Sequence, residues 1–157
     1  MAIITLNNNS LSSVTALPAG VGGKVLQVVQ SNSSTNFSTS SGTMVSTGFS
    51  ASITPTSTSN KVSVFISFSP YHNGTGRQSF YTIDRNGTLL TPSGDTNFVK
   101  LYDNASQIIT SQSFNYLDSP SSTSALTYTL FASITGGELR LNTQSDSTNI
   151  ILMEIAG

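Results

Sequence analysis

The side chains in this sequence that could do chemistry are one histidine and seven carboxylates. A Ser-His-Asp triad needs a nucleophile and a carboxylate beside the histidine, and the chain has no G-x-S-x-G nucleophile elbow. A zinc site needs several ligands, and His72 has no cysteine and no second histidine to join it. His72 stands in SPYHNGTGRQ, so we expect a solvated loop residue, and we predict neither a catalytic nor a metal site.

The carboxylates are also expected to be structural. They are Asp84, Asp95, Asp103, Asp118, Glu138, Asp146 and Glu154. A glycoside hydrolase needs two carboxylates facing each other across a cleft, and the sequence alone leaves that arrangement open. Most of these acids, however, stand beside Asn, Gly, Ser or Pro, where a carboxylate caps a turn. The stretches SGDTN and YDNAS lack the dense oxygen ligands of a calcium loop. We therefore expect no cofactor.

Two stretches combine aromatic rings with amides and one or two charges, and both are predicted to be loops. PYHNGTGRQ contributes Tyr71, His72, Asn73 and Arg77, and NFVKLYDNAS contributes Lys100 and Tyr102. Such side chains bind sugars, but they more commonly fill wet protein interfaces. These six residues are the candidate loop contacts.

Composition limits the class of protein. The chain has 157 residues, of which only 8% are charged, with a net charge of −1 and no cysteine. One domain with one core fits this length, and the lack of a basic surface argues against a nucleic-acid partner. A surface rich in Ser, Thr and Asn is typical of extracellular or virion-exposed β proteins. MAIITLNNNS does not resemble a signal peptide, so we expect synthesis in a cytoplasm and no membrane insertion.

Short alternating segments bounded by turn residues recur along the chain. In KVSVFISFS one predicted face carries Val62, Val64, Ile66 and Phe68, and in LTYTLFASI it carries Tyr128, Leu130, Ala132 and Ile134. Asn86-Gly87 predicts a type I′ hairpin turn, and Gly136-Gly137 predicts another tight turn. No window shows helical periodicity. The pattern predicts an all-β fold, an antiparallel β-sandwich of the jelly-roll type.

Residues 1–22 differ from the domain predicted over residues 23–157. They are polar and end in Pro and Gly, which is typical of a docking arm, although an edge strand with a loop fits equally well. The apolar residues of this N-terminal arm are Ile3, Ile4, Leu6, Leu11, Val14 and Leu17.

Several motifs from Lys24 to Gly157 appear in the order R-N-G, L-D-S-P, T-Y-T-L, G-G, L-N and a closing L-M-E-I. In this order they resemble jelly-roll modules of tailed-bacteriophage virion surface proteins, which are similar to the trimeric tumour necrosis factor-like domain. ALPAGVGGKVLQVVQ also resembles the junction that joins such modules to longer phage proteins.

The resemblance implies a non-enzymatic homotrimer on the exterior of a virion. Surplus apolar residues on strand faces, such as Phe65 and those of NIILMEIA, also favour self-association. The short chain without a shaft favours a capsid decoration or cement protein, with the arm gripping the major capsid protein. The alternative is the receptor-binding tip of a tail or head fibre, with a host-surface glycan as ligand.

Overall fold

The computed structural model describes residues 24–92, 96–104 and 107–157, apart from the side chain of Asp103. These residues form thirteen strands and no helix, and all paired strands are antiparallel. The strands are β1 (Val25–Ser33), β2 (Phe37–Thr39), β3 (Val45–Ile53), β4 (Lys61–Phe68), β5 (Pro70–Asn73), β6 (Arg77–Arg85), β7 (Thr88–Leu90), β8 (Val99–Asp103), β9 (Gln107–Ile109), β10 (Gln112–Asp118), β11 (Leu126–Ile134), β12 (Glu138–Leu141) and β13 (Thr148–Ile155). The predicted arm, residues 1–22, lies outside the described residues, so its boundary stays a prediction.

The strands pair into two layers. In the first layer, one sheet has the order β1-β13-β4-β10 and a second has the order β2-β12-β5-β9. Each strand of the first sheet is adjacent in sequence to its counterpart in the second, so the two sheets are successive halves of one long layer. The second layer has the order β3-β11-β6, with β7 and β8 both pairing with the remaining edge of β6.

This arrangement is the predicted jelly roll. Counting β1/β2, β4/β5, β7/β8, β9/β10 and β12/β13 as interrupted single strands leaves eight strands. Their orders are then 1-8-3-6 in the first layer and 2-7-4-5 in the second. An antiparallel double sheet of eight strands with this connectivity is a jelly roll, so the predicted fold class is confirmed.

The core lies between the layers and is built by strand alternation. The rows predicted to face inward from β4 and β11 are all buried: Val62, Val64, Ile66, Phe68, Tyr128, Leu130, Ala132 and Ile134. The rings of Phe68 and Tyr81 meet across the two layers with their centroids 4.7 Å apart. Burying this apolar surface, at about 25 cal/mol per Å², is the main source of stability.

Asn142 connects the two halves of the first layer where the strands are interrupted. This buried residue has a φ of 60°, which Asn tolerates better than most side chains. Its amide donates to the carbonyls of Ser33 (2.9 Å) and Thr35 (3.1 Å), and its Oδ1 accepts from the Thr148 hydroxyl (3.0 Å). One side chain therefore satisfies backbone groups that the interrupted ladder leaves unpaired.

The loops gather at the two ends of the sandwich. At one end, which we call the terminal end, the Ala156 N–H donates to the Lys24 carbonyl (2.9 Å) and the Gly157 N–H donates to Asn60 Oδ1 (3.2 Å). The predicted Asn86-Gly87 turn also lies at this end, and its φ values of 49° and 88° confirm the type I′ geometry. At the opposite end, the β5–β6 and β11–β12 connections meet, and the Glu138 N–H donates to Asn73 Oδ1 (2.9 Å).

Gly137, in the predicted Gly136-Gly137 turn, provides a test of this packing. Its φ is +75°, and an added Cβ would lie 2.2 Å from the Asn73 carbonyl oxygen. Gly76 has a similar φ of +71° but nothing within 4 Å of an added Cβ. We expect Gly76→Ala to destabilise by about 1 kcal/mol from backbone strain alone, and Gly137→Ala by about 2 kcal/mol more. Urea unfolding of both variants measures this difference, and equal losses would contradict the described approach of β12 to β5.

Candidate interaction surfaces

The predicted loop PYHNGTGRQ is largely strand, so that prediction was wrong. Tyr71, His72 and Asn73 belong to β5, which pairs with β12 on one side and β9 on the other. His72 has 0% of its surface exposed and stands opposite Leu139, whose side chain is buried in the core. It is therefore not a solvated loop residue and is not accessible for contact in the single chain. Tyr71 and Asn73 remain partly accessible.

The second predicted loop, NFVKLYDNAS, contains strand β8, so its assignment as a loop was also wrong. Lys100 extends over the Phe80 ring, with Nζ 5.4 Å from the ring centroid. Tyr102 is 60% exposed and stands opposite Gln78. Arg77 begins β6 and lies in the opposite layer from Tyr71. The candidate contacts therefore divide between the two layers instead of lining one site.

Asp118 and Asp84 hold the terminal end together. Asp118 is buried, and its Oδ2 accepts from Arg85 Nη1 (2.6 Å) and from the Tyr128 hydroxyl (2.7 Å). Burial and this hydrogen bond raise the pKa of Tyr128. Asp84 Oδ1 accepts from the Gly87 N–H (2.8 Å), which is the turn cap expected from the sequence. Both carboxylates thus have structural partners.

Glu154 is a buried anion at the same end. Its Oε1 accepts from the Thr56 N–H (2.6 Å), the Thr56 hydroxyl (2.8 Å) and the Asn60 amide (2.5 Å), and its Oε2 accepts from the Gln27 amide (2.6 Å). Burial acts to raise the pKa of Glu154, but these hydrogen bonds outweigh it and bring the pKa to about 2. Because every donor is neutral, hydrogen bonds alone keep the carboxylate charged and tie β1 and β13 to the β3–β4 connection.

The part of the chain that the structure describes has no cluster of metal-ligating side chains and no helix that could span a membrane. Within residues 24–92, 96–104 and 107–157, no three His, Cys, Asp or Glu side chains cluster in a way that could hold a metal. The same residues include no helix long and apolar enough to cross a membrane.

The outer face of the β1-β13-β4-β10 sheet carries apolar side chains on all four strands, and Gln30, Ser63 and Asn115 stand among them. Cross-strand pairing places Val28 opposite Met153 in one row and Ile151 opposite Phe65 in the next. The apolar face, as we call it, consists of Val25, Val28, Phe65, Leu117, Ile151, Met153 and Ile155. Val28 is 57% exposed, Leu117 51% and Phe65 39%. A shallow hollow of about 280 Å³ indents this face beside Phe65 and Ile151.

The outer face of the second layer is different. There the strands β3 and β11 present hydroxyl groups from Ser46, Ser50, Ser52, Thr127 and Thr129, with Phe131 opposite Ser46 as the apolar exception on these two strands. The hydroxyls of Ser52 and Thr127 hydrogen-bond across the strands at 2.8 Å. The β3–β11 part of this layer is suited to water, although Leu89 and Tyr102 are exposed farther along the same layer. The apolar face is suited to a partner, because exposed apolar surface marks interaction sites.

The sequence indicated part of the apolar face. Phe65 and the doubly apolar NIILMEIA are visible as surplus hydrophobic residues on strands whose other face already fills the core. Val28 and Leu117 were not singled out, since β1 shows no clean alternation and a single leucine in β10 carries no pattern. Only the strand pairing places them beside Met153 and Ser63, in one continuous row.

Comparisons with known proteins give a distant likeness in fold. The chain matches no protein-family model and no curated protein. It is similar to the infectious bursal disease virus VP2 subviral particle, with 13% identity and a TM-score of 0.43 over 82% of this chain and 38% of that one. It is also similar to the Gx strain of that virus, with 13% identity and a TM-score of 0.43 over 83% of this chain and 40% of that one. The chain spans about two fifths of the length of these structures, and we rest no functional argument on the likeness.

Glu154→Gln tests the buried anion. The new amide N–H₂ would face groups that already donate, so we expect a loss of about 2–4 kcal/mol near neutral pH by urea unfolding. Glu138→Gln is the control, because its pair with Arg140 is exposed to solvent, which screens the attraction, and should contribute little to stability. Equal losses in the two variants would contradict the assignment.

The same carboxylate predicts an acid dependence. The pKa of Glu154 in the folded state, about 2, lies below its ordinary value of 4.5. Its contribution to stability is therefore complete above pH 4.5 and is lost as the pH falls towards 2. Glu154→Gln should lack this part of the acid-induced loss, as measured by melting temperatures across that range. A variant that loses as much stability as the parent protein over this range would contradict the low pKa.

Proposed function

We propose that this protein is a non-enzymatic structural protein of a bacteriophage particle, a homotrimer on the particle exterior that acts as a capsid decoration or cement protein. The observation that carries the proposal is the apolar face, set against a hydroxyl-rich face on the other layer. A virion exterior location requires one face to meet the solvent and another to be covered by protein. The resemblance to phage jelly-roll modules supplies the biological setting.

Self-association would remove the apolar face from water. Its residues come from all four strands of the sheet, and Lys61 at its margin is the one charged side chain among the outward residues of the paired β4 and β13. Exposed apolar area of this kind contributes about 25 cal/mol per Å² when it is buried. Closed rotational symmetry lets each copy bury the same face, and three copies about one axis leave the hydroxyl-rich faces outside.

The terminal end is the end that would meet the capsid in this proposal. Lys24 and Gly157 both lie there, so residues 1–23 join the described domain at that end. The backbone of the predicted arm would then add a strand to the major capsid protein by β-augmentation, and its apolar side chains would enter pockets there.

Three of the seven carboxylates also support a non-enzymatic role. Asp118 and Glu154 are buried and engaged with side chains of the same chain, and Asp84 caps a turn. A hydrolytic pair would need carboxylates that are free to reach a substrate across a cleft.

Lysine substitutions on the two outer faces test the trimer. We expect the parent protein to have a trimer mass by multi-angle light scattering, and Val28→Lys or Leu117→Lys to give a folded monomer, since each would bury an unpaired charge at the axis. Ser52→Lys, on the hydroxyl-rich face, is the control and should remain a trimer. A monomeric parent protein, or a Leu117→Lys variant that stays trimeric, would refute the proposed interface.

Removal of residues 1–22 tests the arm. The core strands begin at Val25, so we expect a folded trimer with a melting temperature within a few degrees of the parent protein. Binding to capsids that lack the protein should fall sharply in a co-sedimentation assay. A truncated protein that still binds capsids would place the grip elsewhere, and one that fails to fold would make the arm part of the core. A protein that ignores capsids and adheres to host cells would favour the fibre-tip function instead.

A further inference from the structure

We propose that the outer face of the β2-β12-β5-β9 sheet binds a neutral saccharide. The site, which we call the Arg140 hollow, has a volume of about 300 Å³ and is lined by Phe37 and by the polar residues Asn36, Ser38, Glu138, Arg140 and Thr143. That volume is at the lower end for small-molecule sites and fits one or two sugar rings. The inference goes beyond a role in capsid decoration and does not depend on self-association.

Arg140 is the fixed centre of the hollow. Its Nη2 lies 2.5 Å from Glu138 Oε2, and its guanidinium carbon lies 5.5 Å from the centroid of the Tyr71 ring. β12 is an interior strand, with Ser38 on one side of Arg140 and Tyr71 on the other. The carboxylate and the ring restrict the orientation of the guanidinium, so it loses less freedom when a ligand binds than an isolated arginine would.

The chemistry of the lining selects the ligand. The guanidinium donates hydrogen bonds, the carboxylate accepts them, and the Asn36 amide and the Ser38 and Thr143 hydroxyls do both. Sugar hydroxyls also both donate and accept, so neighbouring hydroxyls of one ring can bond to this mixed set. Because Glu138 already neutralises Arg140, the hollow offers no unpaired positive charge to attract the carboxylate of an acidic sugar. The hollow therefore favours neutral over acidic saccharides.

The hollow is separate from the apolar face. A polar row of paired residues, Asn149, Ser67 and Ser113, lies between them, followed by the interruption of the strands. Side-chain exposures of 42% for Arg140 and 35% for Glu138 leave both groups accessible in the described chain. Of the six residues predicted as loop contacts, Tyr71 is the one whose side chain contacts Arg140, from the neighbouring strand β5.

The experiment is an amide-resolved NMR titration of the whole protein with two panels of probes. The neutral panel is glucose, galactose, mannose and N-acetylglucosamine, and the acidic panel is glucuronic acid and sialic acid. We expect saturable shifts at Asn36, Glu138, Arg140 and Thr143 with at least one neutral sugar, at a millimolar Kd. Asn36→Ala and Arg140→Gln should each weaken that binding about ten-fold, as expected when a hydrogen bond is lost.

The control is Lys100→Gln, which removes a cation that lies over the Phe80 ring on the opposite layer. It should leave the titration unchanged, and dispersed spectra of each variant confirm that it folds. No saturable shift with any neutral sugar, shifts confined to other strands, or tighter binding of the acidic panel would each overturn the proposal. The mass measured by light scattering is independent of this titration, so failure of the saccharide site and failure of the trimer are distinguishable.

Discussion

The structure depends on strand β13, because both of its faces are apolar. Its inward residues Ile150 and Leu152 fill the core, while its outward residues Ile151 and Met153 form the centre of the apolar face. β13 pairs with β1 on one side and β4 on the other, so it fixes the register of the first layer. Its inward row ends at Glu154, whose hydrogen bonds fasten the terminal end. One strand thus connects the stability of the sandwich to the surface that we propose for self-association.

The fold was predictable because alternation with a period of two dominates the long strands. β4 and β11 bury every residue that their patterns assign to the core, and the Asn86-Gly87 turn has the φ values that its residues favour. The low content of charged residues also helped, because the pattern of hydrophobic residues then indicates which face of each strand is buried. Strand β3 (Val45–Ile53) was harder to predict, because Gly48 and the serines of this segment weaken the alternation. Pairing with β11 nevertheless makes it a strand.

The candidate contact residues were less predictable than the fold. PYHNGTGRQ and NFVKLYDNAS contain turn-forming and polar residues, but β5 and β8 are short strands whose pairing with distant partners overrides local propensity. His72 shows the consequence, since a polar residue in a polar stretch is buried opposite Leu139. Arg140 and Glu138 carried no signal in ELRLNT, because only pairing with β2 and β5 brings Ser38 and Tyr71 beside them. The periodicity of a sequence shows which face of a strand is buried. Which residues come together at a site depends on which strands are neighbours in the sheet.

The central claim is that the apolar face is covered in the working protein, and thiol labelling of single-cysteine variants tests it most directly. The chain has no cysteine, so Leu117→Cys and Ser52→Cys each introduce one thiol on a different outer face. In a single chain both positions are exposed, with Leu117 at 51%. The account predicts that a maleimide reagent reacts far more slowly with Leu117→Cys than with Ser52→Cys in the native protein, and at equal rates after unfolding in urea. Equal rates in the native protein would contradict it.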